Sequence, residues 1–321
     1  MNRISTSGGW TRVLVVALSV TAVVALGASP ASALKPTGHG GSGGGGNGGG
    51  GATATGNDVS YPQCGTTLPS GQAFGIVGLT GGVADTLNPC VGPSSSYPSY
   101  TQSELYWAVA TSSGVSTQPK ASLYVNTADP GNVYNGTVIA DWPTTGGNTT
   151  YGSCATTTVS LSTGTVTVGA NSDACAWQYG YNMATRDAGW LASAAAAIDG
   201  QIPSAAVSES AGSYPWWLDV ETANTWQSDQ SMNVADLQGM VAGLTAAGAT
   251  SVGVYSTSSQ WDSITGGTSS SSGSLYQLPN WIPGARTASG AQSACAQASF
   301  TGGTVEVTQW SGHPVDGDVA C

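Results

Sequence analysis

Residues 214–221 of the sequence, YPWWLDVE, carry the densest set of groups that could do chemistry. An apolar, aromatic strand normally buries its residues, so two acids at its C-terminal end are out of place for core packing. Residues i and i+2 of a strand point to one face, so Asp219 and Glu221 project together. Two such neighbours do not ionise independently, and one of them is expected to carry a raised pKa suited to general-acid work. The competing reading is a polar strand exit with both acids solvated, since DxE alone is a common pattern.

Other reactive groups are scarce. The histidines are His39, in a glycine-rich run, and His313, near the end. No GxSxG elbow supplies a serine nucleophile and no HExxH supplies a zinc site, so triad and metalloprotease chemistry lack their parts. The six cysteines, Cys64, Cys90, Cys154, Cys175, Cys295 and Cys321, are even in number and read as three disulfides of an oxidising compartment. Pairing is open among about 15 arrangements. Sequential pairing is the expectation, because each neighbouring pair closes a loop of about 20 to 27 residues. Metal binding is the rival, and it lacks the close CxxC pairs and histidines that zinc uses. No metal or cofactor is expected. Carboxylates remain, and glycoside hydrolysis is a reaction that carboxylate pairs run. The 11 tryptophans against two phenylalanines fit that chemistry, because sugar rings stack on indoles while the indole N–H bonds hydroxyls. Trp216, Trp217, Trp226, Trp261, Trp281 and Trp310 fall near strand ends. Core packing is the competing role for Trp216 and Trp217, one of which must point outward from the strand.

The elements that would position these groups alternate. Strands are expected at 58–61, 74–80, 122–127, 216–221, 252–257, 280–284 and 304–310. Helices are expected at 103–110, 176–198 and 233–247. In the last of these Val234, Leu237, Met240, Val241 and Leu244 share a face, with Asn233 as N-cap and Gly248 just past the end. Such alternation implies parallel strands with helical crossovers, an α/β fold. A (β/α) TIM-like barrel is favoured, with its eighth strand hidden between residues 284 and 304. An open doubly wound sheet is the rival, but a dinucleotide fingerprint after the first strand is absent. Residues 131–174 break the pattern. Their TVSLSTGTVTV core reads as a β-hairpin inserted after the third strand and enclosed by Cys154 and Cys175, able either to shape a cleft or to cover an edge.

The N-terminal part reads as a leader. Arg3 and Arg12 flank an apolar run at 13–26, and Ala31, Ser32 and Ala33 fit a small-x-small cleavage site, so residues 1–33 are expected to be a signal peptide. A retained anchor is the alternative, and it needs about 20 apolar residues. Residues 34–56, with GGSGGGGNGGGG at 40–51, read as a flexible linker. Residues 57–321 form the expected domain, secreted and free of the membrane after cleavage, and monomeric. The whole sequence has a formal net charge of −11. Cleavage removes two arginines and no acids, leaving about −13. Nucleic acid and anionic membrane are poor partners for such a surface.

Four separated segments share one resemblance: DVSYPQ at 58–63, FGIVGLT at 74–80, WLDVE at 217–221 and QWSGHPVD at 309–316. In order and spread they resemble the opening DVS-x-x-Q strand, the second strand, the LDxE strand and the closing Q-[YW]-S strand of glycoside hydrolase family 25, the Chalaropsis-type lysozymes. The resemblance implies a glycan substrate, peptidoglycan, cleaved at the β-1,4 bond between N-acetylmuramic acid and N-acetylglucosamine. It implies Glu221 as general acid, Asp219 as the group that orients the substrate's 2-acetamido group, and Asp58 and Asp316 as the rest of an acidic cleft. Tyr255, in VGVYS, and Trp281 match aromatic positions of the fifth and sixth strands. Trp217 and Trp310 join them as expected sugar contacts. Asn126, in SLYVNT, stands where the family carries G-x-YHF and is a further expected contact. The insertion, the three disulfides and the acidic surface depart from the family. The alternative function is a weak or inactive glycan-binding protein on the same barrel.

Overall fold

The computed structural model describes residues 54–148 and 150–321; the signal segment, the residue 40–51 glycine run and most of the linker lie outside them. Strand β1 (Thr55–Val59) is followed by β2 (Gly75–Gly78), helix α1 (Glu104–Thr111) and β3 (Ala121–Asn126). The insertion comes next as three antiparallel pairs: β4 (Val133–Tyr134) with β5 (Thr137–Val138), β6 (Gly147–Asn148) with β7 (Gly152–Ser153), and β8 (Thr156–Leu161) with β9 (Gly164–Gly169). The chain continues through α2 (Asp173–Gln201), β10 (Trp216–Asp219), α3 (Gln230–Ala246), β11 (Val252–Tyr255), α4 (Ser258–Thr265), β12 (Asn280–Ala285), α5 (Ala288–Ala294), β13 (Val305–Trp310) and β14 (Asp316–Ala320).

Eight of these strands close into a barrel in the order β1-β14-β13-β12-β11-β10-β3-β2. Seven are parallel to their sequence neighbours in the ring, and β14 runs antiparallel to both β13 and β1. The fold is thus a TIM-like α/β barrel with one reversed strand. The eighth strand does not lie between residues 284 and 304, which hold α5. It is the last segment of the chain, whose short alternating run DGDVA follows β13 with no room for a crossover helix, so the only route back is antiparallel. The first strand begins at Thr55, two residues before the expected boundary, because Thr55 and Gly56 pair with Val319 and Asp318. Helix α3 starts earlier than its apolar stripe suggests. Its N-cap is Asp229, which accepts from the Ser231 N–H. Asn233 sits inside the helix and donates to the carbonyls of Gln227 and Ile264.

Two apolar regions hold the barrel. Phe74, Ile76, Trp217, Trp281 and Val307 fill its interior. Trp216, Leu218, Leu237, Leu244 and Trp261 belong to the outer layer between strands and helices. The adjacent tryptophans of β10 therefore face opposite sides, and both are buried. Disulfides join Cys64 to Cys90, Cys154 to Cys175 and Cys295 to Cys321. The last of these ties the end of β14 to the end of α5, fastening the strand that closes the ring.

Helices α2 and α3 meet backbone to backbone. A Cβ on Gly239 would lie 2.0 Å from the Trp177 carbonyl oxygen, and one on Gly180 would lie 2.0 Å from that of Asp236. Gly189, on the same helix α2, has open space around it. Gly239→Ala should therefore destabilise by about 1–3 kcal/mol as the helices are forced apart. Gly189→Ala should be neutral or stabilising by up to about 1 kcal/mol through helix propensity. Denaturant midpoints of the two variants check the contrast, and equal values would show that the helices do not pack this closely.

Candidate active site

Register decides which side chains share a layer at the barrel mouth. Asp219 pairs with Asn126 of β3 on one side and with Tyr255 of β11 on the other, and Tyr255 pairs with Trp281 of β12. These four lie side by side, with Asn126, Asp219 and Tyr255 at the C-terminal ends of their parallel strands, where barrel enzymes keep their chemistry. Asp58, near the end of β1, pairs with Asp316 at the start of β14. The reversal of β14 is what brings its first residue to the same mouth.

Asp58, Asp219, Glu221, Asp316, Tyr255 and Trp281 line one cavity of about 190 Å³. A second lobe of about 200 Å³ shares Asp58 and Asp316 and runs past Asn126 to Tyr61 and Gly82. Beyond Asp219 the strand ends and the chain turns. The Glu221 carbonyl accepts from Trp226 Nε1 at 2.8 Å and from the Asn224 N–H at 3.0 Å, while Asn224 Nδ2 donates to the Asp219 carbonyl at 3.1 Å. That turn holds Glu221 over the cavity beside Asp219.

The acids form two pairs. Asp219 is 5% exposed. Its Oδ2 accepts from Asn126 Nδ2, while Oδ1 meets no N–H or O–H donor among the described residues. Burial, and then the charge of Glu221, push its pKa well above the usual carboxylate range. Glu221 is also raised, by burial, and hydrogen bonds from Gln260 and Asp219 partly offset that rise. The two carboxyls are close enough to influence each other, and burial raises both. On the other side Asp58 is raised to about 6, chiefly by burial, with Gln309 opposing the rise and the Asp316 charge adding to it. Its partner is Asp318, which is fully buried and raised well above the usual range by burial and by the neighbouring Asp58. A pair of this kind binds one proton more tightly than either acid would alone.

Asp318 and Gln309 extend the site beyond the residues expected from sequence. Asp318 Oδ1 accepts from Trp281 Nε1 at 3.0 Å, fixing the indole. Gln309 Nε2 donates to Asp58 Oδ2 at 3.0 Å, and Gln309 Oε1 accepts from the Tyr255 hydroxyl at 3.0 Å. Tyr124 lines the cavity between Asp58 and Asp219. The signal for Asp318 was present in the sequence. It follows Asp316 at i+2, the same spacing that links Asp219 to Glu221.

Two expected sugar contacts are corrected. Trp217 is 1% exposed and lies one layer below Asp219, its ring resting where Gly253 leaves room. It forms the floor under the cavity and is not open to a ligand. Trp310 lines neither lobe. Gln309 points into the barrel, so the next residue must point out, and the Trp310 indole packs over Gly317, where a Cβ would lie 2.0 Å from its ring. Asn126 lines the second lobe but is engaged with Asp219 and Thr80.

A carboxyl whose folded pKa lies above its unfolded value favours the fold fully below the unfolded pKa, and that favour is lost as pH rises toward the folded one. Asp318 should therefore cost the wild type stability increasingly as pH rises above about 4 through the neutral range. Asp318→Asn can still donate to Asp58 and accept from Trp281, without the titration. Thermal unfolding of the two proteins across that range should diverge, with the variant increasingly the more stable. Parallel curves would contradict a protonated Asp318.

The relatives agree with the motif reading. A family model described as "Lysozyme-like protein 1" matches residues 203–293. Among curated proteins, a probable GH family 25 lysozyme 4 of Dictyostelium discoideum is 43% identical over 65 residues, and a probable GH family 25 lysozyme 2 of the same organism is 46% identical over 65 residues. Those stretches cover 20% of this chain and only 30% and 28% of the relatives' lengths. Among solved structures, the bacterial lysozyme from Streptomyces coelicolor aligns with a TM-score of 0.40 at 15% identity, covering 83% of this chain and 91% of that one. A glycosyl hydrolase 25 of Streptococcus pneumoniae aligns at 0.33 and 13%, covering 83% and 86%. The chain thus carries a lysozyme-like segment and is similar, over that part, to the glycoside hydrolase family 25 lysozymes that its four motifs resemble.

Proposed function

We propose that this protein is a secreted glycoside hydrolase that cleaves the β-1,4 bond between N-acetylmuramic acid and N-acetylglucosamine in peptidoglycan. The observation that carries the reading is the Asp219–Glu221 pair, two desolvated acids lining one open cavity with Asp58 across it. With one proton on the pair, Glu221, the less buried partner, takes it from Asp219 and gives it to the bridging oxygen as the bond to the anomeric carbon breaks. Asp219 is then ionised as positive charge develops on the sugar, and it accepts from the N–H of the 2-acetamido group. Water adds to the anomeric carbon, and its proton returns to the carboxyl pair, so two sugars with free ends leave and the enzyme is restored. Tyr255 and Trp281 offer the aromatic walls that hold the ring.

Secretion rests on the leader-like residues 1–33, followed by the linker at 34–56, with the three disulfides consistent with an oxidising compartment. The secreted domain acts as a monomer, with the cell-wall glycan as its partner. A second reading, glycan binding with little turnover, is favoured by the deeper burial of Asp219, which raises its pKa well above the usual range.

Purified protein should clear peptidoglycan suspensions and release reducing ends. Glu221→Gln should lower kcat by on the order of 10² to 10⁴ while still binding. Equal rates for both proteins on peptidoglycan and on chitin oligomers would remove the enzyme reading. Binding without turnover in the wild type would support the second one.

A further inference from the structure

A second concave region lies beside the acidic cleft, and its inner wall comes from the insertion. It is a groove of about 320 Å³ between the loop after β2, which brings Val83 and Asp85, and the β4–β5 hairpin with the segment after it, which bring Tyr134, Ile139 and Asp141. Tyr179 of α2 forms its base. The groove adjoins the cleft through one residue step, since Gly82 lines the Asp58–Asp316 lobe and Val83 lines the groove.

The groove is unlike the rest of the surface in two ways. It holds two of the few exposed large apolar side chains among the described residues, Val83 at 53% and Tyr134 at 46%. Tyr134 is set by a tight turn, with Asn135 at φ 49° and Gly136 at φ 74° joining β4 to β5. Such two-residue turns match the twist of the flanking strands and hold their ends firmly. The groove also carries the carboxylates of Asp85 and Asp141, both exposed. Neither is in an ion pair, and the one ion pair among the described residues, Arg186 with Asp187, is turned to the back of the loop, where Arg186 Nη2 donates to the Ala84 carbonyl.

We infer that this groove is a subsite for an ammonium-bearing side branch of the substrate, the diamino-acid side chain of a peptidoglycan stem peptide. A methylene stem would lie along Val83, Ile139 and Tyr134, while the ammonium sits between Asp85 and Asp141 and over the Tyr134 ring. An uncharged sugar would offer hydroxyl donors but no charge to neutralise the two carboxylates, and an anionic group would be repelled. With this subsite the insertion reads the peptide branch while the barrel mouth holds the glycan. The inference rests on the peptidoglycan reading given above, and the experiment separates the two.

The full protein is titrated with a capped tripeptide carrying one free lysine side chain, and with the same peptide acetylated on that amine. Hydrolysis is measured on amine-bearing peptidoglycan and on glycan strands stripped of peptide. The free amine should bind about three- to tenfold more tightly than the acetylated form, a preference that Asp85→Asn/Asp141→Asn and Tyr134→Ala each remove. The same variants should raise KM on intact peptidoglycan by a similar factor and leave kcat/KM on stripped strands unchanged. Equal binding of the two peptides, or equal loss on both glycans, overturns the subsite. Amine-dependent binding with no hydrolysis by the wild type upholds the subsite and overturns the catalytic reading instead.

Discussion

Carboxyl groups placed at the mouth of a barrel lined with Trp281, Tyr255 and Tyr124 have little water to ionise into. Desolvation raises every one of their pKa values for which a shift is resolved, and neighbouring acid charges raise those of Asp58, Asp219 and Asp318 further. Burial favours the neutral form in each close pair, Asp219 with Glu221 and Asp318 with Asp58. Asp219 Oδ1 and Asp318 Oδ2, two of the buried oxygens with no N–H or O–H partner among the described residues, belong to these pairs. The rest of the site follows from that constraint. Asn126 and Gln309 supply the few neutral donors, and the Trp281 indole gives its N–H to the carboxyl that needs it most. A site that stores protons within pairs can deliver one and recover one without exposing a bare charge to the low-dielectric interior.

The scaffold makes this arrangement possible by stacking aromatic mass directly beneath it. Trp217 fills the layer below Asp219, and Gly253 exists there because a Cβ would lie 2.4 Å from the indole. Trp281 contacts Trp217 below and Tyr255 beside it, with ring centroids 6.1 and 4.4 Å apart. The floor is therefore packed and the mouth is polar, so the carboxyls cannot sink further and have one direction in which to act. Outside the ring, close approach of α2 and α3 through small residues anchors the two long crossovers that precede and follow β10, the strand bearing Asp219.

The strongly acidic character of the chain presents a physical difficulty for an anionic wall polymer, since like charges repel across a Debye length of about 8 Å at physiological salt. The groove beside the cleft suggests how such a surface is used. On the proposed reading, peptide branches would bring cationic groups to an otherwise anionic polymer, and Asp85 and Asp141 would meet them.

Local chemistry made much of this protein readable from its residues alone. Strand positions follow from short β-branched and aromatic runs, and the i, i+2 spacing singled out Asp219 and Glu221, although the turn after β10 rather than the strand period sets Glu221 beside Asp219. The absence of other nucleophiles left carboxylates as the reacting groups, and the four motifs pointed to the lysozyme-like barrel. Tertiary structure decided what depends on contacts between distant residues. That β14 runs backwards is set by a short connection and by pairing with β1, more than 250 residues away in sequence, and only this reversal brings Asp316 to the mouth and Asp318 against Asp58. Which of two adjacent aromatics faces inward is likewise a matter of barrel closure, which turned Trp217 and Gln309 inside and Trp216 and Trp310 out. Composition and periodicity name the groups that can react; the closed ring of strands, by fixing register across its seam, decides which of them share a proton.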